Sequence, residues 1–461
     1  MPKAPQPPPD LPLEIWLEIF QFATYVHQHY TIKPLDPFVP RRITTNAMGA
    51  NTPSLAMRTK LALVLVSRSW RRIAVQILYR HVVIRSPARA NAILQAFERS
   101  RIPRPSSHSS ETPHTTQEAQ SYGYGEWTRY IEVYTFVRGS SDIKFLQTTF
   151  KILRCCPNLH FLSGNWIHQL PIEFLQGLSG VLGPSLLGLS WKDSDSLATP
   201  EFLGSFKSLR ILDLRHFTGR DPAVRSPSAP RPTLPCVTDL IVSTHSRSLS
   251  TATLIDLPNL RNLTLRTPGW SSRDHEPLKA FLKVHGRCLL AVDLPPPAAD
   301  SELDPDNAPY KRGSDHVPPD SFLGPEVCSN LESLTYSCTS SDFITLPHPN
   351  LRRIGIRGIT AESLYPDKPS DTKTHLTSLT VEKYPRLELV QTAGFLVEAH
   401  GDSMIKDVCI WWVERFEAMG VMFLDGEGVM WAYSEPEEPE VIHEVVILEK
   451  GAKKVATTEK C

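Results

Sequence analysis

The chain has 461 residues, with 49 Lys plus Arg against 49 Asp plus Glu, 41% apolar residues and 41 prolines. The charge balance excludes a global field that would draw the molecule to nucleic acid or to a membrane surface, and the length allows a small module beside one larger domain or repeat array. A modest apolar share with abundant proline fits folded segments separated by long irregular loops.

Residues 1–10 are polar and proline-rich. They predict a disordered leader and lack the form of a signal peptide. The first structured stretch is Leu11-Pro12-Leu13-Glu14-Ile15-Trp16-Leu17-Glu18-Ile19-Phe20. Pro12 suits a first helical turn, where a missing N–H costs nothing, and Glu14 complements the positive end of the helix dipole. Leu13, Trp16, Leu17 and Phe20 fall on one helical face. Ile15 and Ile19 lie off it, so the helix needs two neighbours, one from its own domain and one from a partner. An insert over residues 23–58 carries Pro34, Pro37, Pro40, Gly49 and Pro53. Then Leu61-Ala62-Leu63-Val64-Leu65-Val66-Ser67-Arg68-Ser69-Trp70-Arg71-Arg72-Ile73-Ala74 opens a second helical stripe through Leu63, Val66, Trp70, Ile73 and Ile77. Arg68, Arg71 and Arg72 lie off that stripe as a solvated face.

Together these stretches resemble the F-box, the small three-helix module that binds a Skp-type adaptor in cullin-based ubiquitin ligases. The resemblance covers residues 11–22 and 61–79 and rests on a Leu-Pro start, a helix ending Glu-Ile-Phe, and Leu-Val-Ser-Arg-x-Trp-Arg-Arg-Ile-Ala. The family usually joins the two segments by a short turn; the long insert followed by Leu-Ala-Leu-Val is similar to members from mushroom-type fungi. The resemblance implies an F-box domain over residues 11–85. Its adaptor-binding residues would be Leu11, Pro12, Ile15, Ile19, Leu65, Val66 and Ser67, and its core Trp16, Phe20, Trp70 and Ile73.

Residues 79–84 predict a strand leading out of the module, and Ile93, Leu94 and Phe97 a helix over 88–98. Residues 101–125 are rich in Ser, Thr, Pro and His and predict a disordered stretch within a linker at 86–126. From about residue 127 a phrase recurs: a polar residue, an apolar anchor, two others, an apolar residue, one other, an apolar residue. Its anchors are Leu159, Leu186, Leu209, Val237, Leu260, Leu289, Leu331, Leu351 and Leu376, with gaps ranging from 20 residues (Leu331 to Leu351) to 42 (Leu289 to Leu331). Residues 128–133 are a weaker earlier copy. Two segments ending in His-Gly, at Gly286 and Gly401, precede strand-like phrases and suit left-handed helix ends. Such units resemble leucine-rich repeats, which stack to bury a shared core and align their strands on a concave face. The asparagine that usually follows the repeat strand is missing: Leu214 is followed by Arg-His-Phe. The predicted fold is therefore α/β, a three-helix F-box followed by an irregular solenoid with a parallel concave sheet over residues 127–430. Proline-rich loops at 218–235, 295–319 and 365–374 interrupt it. Residues 431–461 predict a tail or cap, with an acidic run at 435–440 and a possible closing strand at 441–448.

No nucleotide-binding glycine fingerprint, P-loop lysine or serine-hydrolase elbow is present. The eight cysteines are scattered without zinc spacing. Cys155-Cys156 is a vicinal pair at a helix end. Trp411-Trp412 predict core plus surface on a late strand, and the two His-Gly pairs predict structure rather than catalysis. The longest apolar run, residues 61–66, is too short to span a bilayer. The expectation is a non-catalytic chain without metal or cofactor, cytoplasmic or nuclear. By resemblance it is the substrate receptor of a Skp–cullin–F-box ligase, its partners the adaptor, through it a cullin, and a protein substrate. The competing expectation is a repeat scaffold outside the ubiquitin system, its first helices merely capping the solenoid.

Overall fold

The structure, a computed structural model, describes residues 11–26, 32, 34, 36–39, 51–101, 123–135, 143–193, 200–217, 231–243, 246–266, 276–294, 317–324, 326–338, 345–397 and 402–433. The leader at 1–10, most of the loop at 101–125, much of the proline-rich loops and the stretch at 435–461 lie outside the described residues.

Three helices open the chain: α1 (Leu13–Ala23), α2 (Pro53–Val66) and α3 (Arg68–Arg80). Pro12 stands at the N-terminal boundary of α1. Between α2 and α3, Ser67 is extended (φ −156°, ψ 167°), and its hydroxyl accepts the Trp70 backbone N–H at 3.1 Å. That cap corrects the single stripe predicted from Leu63 to Ile77. A serine that offers the backbone an N-cap bond divides it into two helices. The core of this unit is Phe20, Ile73, Ala74 and Ile77, with Trp16, Leu17, Leu63, Val64 and Trp70 packed against it.

The helix α3 runs directly into β1 (His81–Ile84), and among the described residues eleven further strands follow: β2 (Tyr130–Tyr134), β3 (Phe161–Trp166), β4 (Gly188–Asp193), β5 (Ile211–Asp213), β6 (Asp239–Ser243), β7 (Asn262–Arg266), β8 (Ala291–Asp293), β9 (Ser333–Ser337), β10 (Arg353–Arg357), β11 (Leu389–Gln391) and β12 (Met422–Leu424). All twelve form one parallel sheet in strict chain order. It is an open, leucine-rich-repeat-like solenoid, with helices packed on the leucine side. Between strands run α4 (Pro87–Arg101), α5 (Ile143–Arg154), α6 (Ile172–Leu182), α7 (Ser246–Thr253), α8 (Glu276–His285), α9 (Asp320–Leu323), α10 (Asp371–Ser378) and α11 (Ser403–Glu417).

One apolar row fixes the register across the whole array. Val82, Ile131, Leu162, Leu189, Leu212, Leu240, Leu263, Val292, Leu334, Ile354, Val390 and Phe423 pair in sequence from strand to strand. All are buried. A one-residue slip would turn this row to solvent, which is why the pairing is so strongly specified. The anchors Leu159 to Leu351 are buried too, each two residues ahead of its strand. The polar residue before the anchor ties units together. Amide groups of Asn158, Asn259, Asn330 and Asn350 donate to Glu126, Pro235, Arg287 and Ser329 carbonyls at 2.7–3.0 Å, and the Ser208 hydroxyl donates to Pro184 O at 2.6 Å.

Two late phrases are corrected. Leu376 lies in α10, capped by the Ser370 hydroxyl on Lys373 N–H, and the strand of that unit is β11, two residues after Leu387. The phrase after Gly401 is likewise helical. Asp402 caps α11, whose Cys409, Trp412, Val413 and Phe416 are buried at helical spacing. Trp411 and Trp412 are thus surface and core of a helix, not of a strand, with the Trp412 indole donating to Leu364 O at 2.8 Å. His285 is buried at the end of α8 against Phe281, and Gly286 lies so close to the Val327 carbonyl that a Cβ would collide with it.

Candidate docking surfaces

The first surface belongs to α1–α3. Trp16, Phe20 and Trp70 meet as an aromatic triangle with centroid separations of 5.8, 5.0 and 4.8 Å, and Ile73 is buried beside them. The unit thus has its own interior, yet it leaves much apolar surface in water. Leu11, Ile15 and Ile19 are each 41% exposed, Val66 60% and Leu65 83%. Phe22 and Leu13 are exposed beside them. Pro12 and Ser67 are exposed as well, although the Ser67 hydroxyl is committed to its cap. Lys60 is buried in α2; burial, then the neighbouring Arg80 charge, lowers its ammonium to about 8.

The second surface is the sheet face opposite the leucine row. Alternate strand residues point to it, and charges sit among them. Asp213 on β5 accepts from the Arg215 guanidinium at 3.0–3.2 Å and from the Ser190 hydroxyl at 3.1 Å. Asp293 on β8 accepts from Arg266 on β7 at 3.3 Å and from Arg357 on β10, which also donates to Leu294 O at 2.8 Å. Burial pushes the Asp293 carboxyl upward, but Arg357 and Arg266 outweigh it and hold it below the ordinary carboxylate value. Asp213 is lowered in the same way by Arg215 against its burial. Sequence reasoning did not single out these residues. The available signal was an aspartate between two strand leucines, as in Leu212-Asp213-Leu214.

Part of the insert lies against the same face. Ile32 packs with Tyr130, Ile211, Ile241 and Phe161 in a cluster separate from the main core. The Arg353 guanidinium carbon stands 5.0 Å from the centre of the Phe38 ring.

Cys155 and Cys156 are free and buried, and burial pushes the Cys156 thiol up to about 12, the opposite of a reactive thiolate. Among the described residues no group of three or more His, Cys, Asp or Glu could hold a metal ion, and no helix is long and apolar enough to cross a membrane.

No family model matches the chain, and no curated protein matches it in sequence. Among solved structures, the Rad7–Elc1 complex of yeast is matched at 10% identity and a TM-score of 0.24 over 61% of this chain and 75% of that one. So slight a likeness carries no role from one protein to the other.

Proposed function

We propose that this chain is a substrate receptor of a Skp–cullin–F-box ubiquitin ligase of the mushroom-fungal kind, acting in the cytoplasm or nucleus. In this reading α1–α3 dock on a Skp-type adaptor, and through it a cullin. The solenoid holds a protein substrate beside a ubiquitin-loaded enzyme. The contribution is effective concentration, with no reactive group of its own. The observation that carries the reading is the mismatch in the helical unit. Its aromatic interior is already complete, yet Leu11, Ile15, Ile19, Leu65 and Val66 remain in water. Each apolar anchor buried on binding gains ~1.5–3 kcal/mol, and a few such anchors dominate most interfaces. The test is co-purification of the full chain with a Skp-type adaptor, wild type beside a Leu11→Ala, Pro12→Ala double variant. Capture of the first and loss of the second supports the reading; equal capture places the interface elsewhere.

One observation favours the rival, a non-catalytic repeat scaffold whose helices cap the solenoid: α3 passes into β1 without a break, and β1 is the first strand of the sheet. A scaffold of that kind fails to bind the adaptor in either form.

A further inference from the structure

The sheet face opposite the helices carries apolar residues that the solenoid does not need for its own core. Tyr130, Phe161, Gly188 and Ile211 are register partners on β2, β3, β4 and β5, one position before the leucine row. Their side chains therefore point away from the helices. Ile241 joins them from β6. Without a cover this would be a sticky patch on a soluble surface. The cover is Ile32, which is 8% exposed. Glycines clear the ground at both seats. A Cβ at Gly188 would crowd the Phe161 ring and come within 3.5 Å of Ile32. One at Gly355 would crowd Thr335 and come within 3.3 Å of Phe38. At the Phe38 seat Arg353 lies over the ring, and the Asp36 carboxylate accepts the Phe38 N–H at 3.0 Å, fixing a turn through Pro37.

We propose that this face is a binding surface for a peptide carrying a branched aliphatic residue and, six positions later, an aromatic one. Ile32 and Phe38 are the anchors of the internal ligand that occupies it. The inference rests on the reading that the sheet face binds a protein, and it names the chemistry of the bound segment. It also assigns the insert a role: a substrate segment engages the solenoid by displacing Ile32 and Phe38 from their seats. A tethered ligand competes at an effective concentration on the order of 1 mM. A free peptide with a dissociation constant of ~100 μM for the empty face is then weakened about tenfold on the intact protein.

The test uses the full chain and a fluorescent peptide with the sequence of residues 32–39. Ile32→Ser with Phe38→Ser is expected to raise peptide affinity about tenfold over wild type. Adding Ile211→Ser to that variant is expected to abolish the gain. Phe38→Ser alone, which leaves the Ile32 cluster intact, is expected to give a smaller gain and guards against misfolding of the double variant. Equal affinities in wild type and Phe38→Ser, or no saturable binding by a double variant that unfolds at the wild-type temperature, overturns the proposal. Adaptor co-purification on the same preparations separates the two claims. Lost adaptor binding removes the ligase reading without touching the peptide result. Adaptor binding intact with no peptide response removes only the internal ligand.

Discussion

At the scale of single residues, the ionic groups that matter are those the fold has taken out of water. Asp293 lies between Arg266 and Arg357, and both guanidinium partners hold its carboxyl low against the pull of burial. Removing one member of a buried pair leaves an undercompensated charge and costs about 3–5 kcal/mol. Because Arg266 remains, Arg357→Met is expected near the lower end. A carboxyl whose folded value lies below its unfolded one contributes stability above the unfolded value, near 4. That contribution is lost as pH falls through the folded value. The wild type should therefore lose stability progressively below about pH 4, and Arg357→Met, which lifts the Asp293 value toward the unfolded one, should start less stable at pH 7 and lose less between pH 7 and 3. Thermal unfolding between pH 7 and 3 reads both effects; identical acid profiles would contradict the role given to Arg357. Lys60 shifts in the same direction but costs stability at neutral pH, because burial disfavours its charged form. Its folded value, near 8, is below the unfolded one, so the unfolded chain binds more protons between about 8 and 10.5 and the cost is relieved across that window. Lys60→Met is expected to raise unfolding stability at pH 7, by at most about 3 kcal/mol, and the gain should shrink by pH 10.

At the scale of the repeat element, the recurring phrase has a physical division of labour. The anchor and the leucine row bury apolar surface, and the polar residue ahead of the anchor bonds to the previous unit. Asn259→Ala removes the amide that donates to Pro235 O at 2.7 Å and is expected to cost about 1 kcal/mol. Denaturant unfolding checks this, and a change under a few tenths would show that the bond is not used. This phrase is why the solenoid was legible from Leu159 to Leu351. Leucine spacing and a strand period of two both repeat there. Legibility failed at Leu376 and after Gly401, for the same reason in both places. Leu376-x-x-Leu379-x-Val381 satisfies the strand phrase by composition, but Ser370 and Asp371 supply an N-cap and first turn, and local capping wins. Ile405, Cys409, Trp412 and Phe416 follow a helical period that a search for strand phrases passes over. The break at Ser67 was hidden because the apolar spacing runs on through it, while only the hydroxyl marks the cap. The charges at Asp213 and Asp293 were printed within the strand phrases themselves. The contacts of Ile32 and Phe38 could not be read at all, since nothing in a proline-rich insert states which distant surface it will meet.

At the scale of the molecule, two surfaces share one stretch of chain. Ile32 and Phe38, between α1 and α2, lie on the sheet face, and α1 and α2 themselves carry exposed apolar side chains. The proposed division separates binding from folding. Leu11 and Pro12 contribute to adaptor docking and little to stability, whereas Trp70 holds α1 against α3 through Trp16 and Phe20. Trp70→Ala is expected to destabilise the helical unit by about 3 kcal/mol, the lower end for a large aromatic because the ring is only partly buried. The most direct measurement is a titration of the full-length wild-type chain, and of the Leu11→Ala, Pro12→Ala variant, with a purified Skp-type adaptor, alongside thermal unfolding of each. Saturable, tight binding by the wild type and its loss in a variant that unfolds at the same temperature is the predicted result. No binding by the wild type would contradict the receptor reading and leave a repeat scaffold whose first helices cap the array.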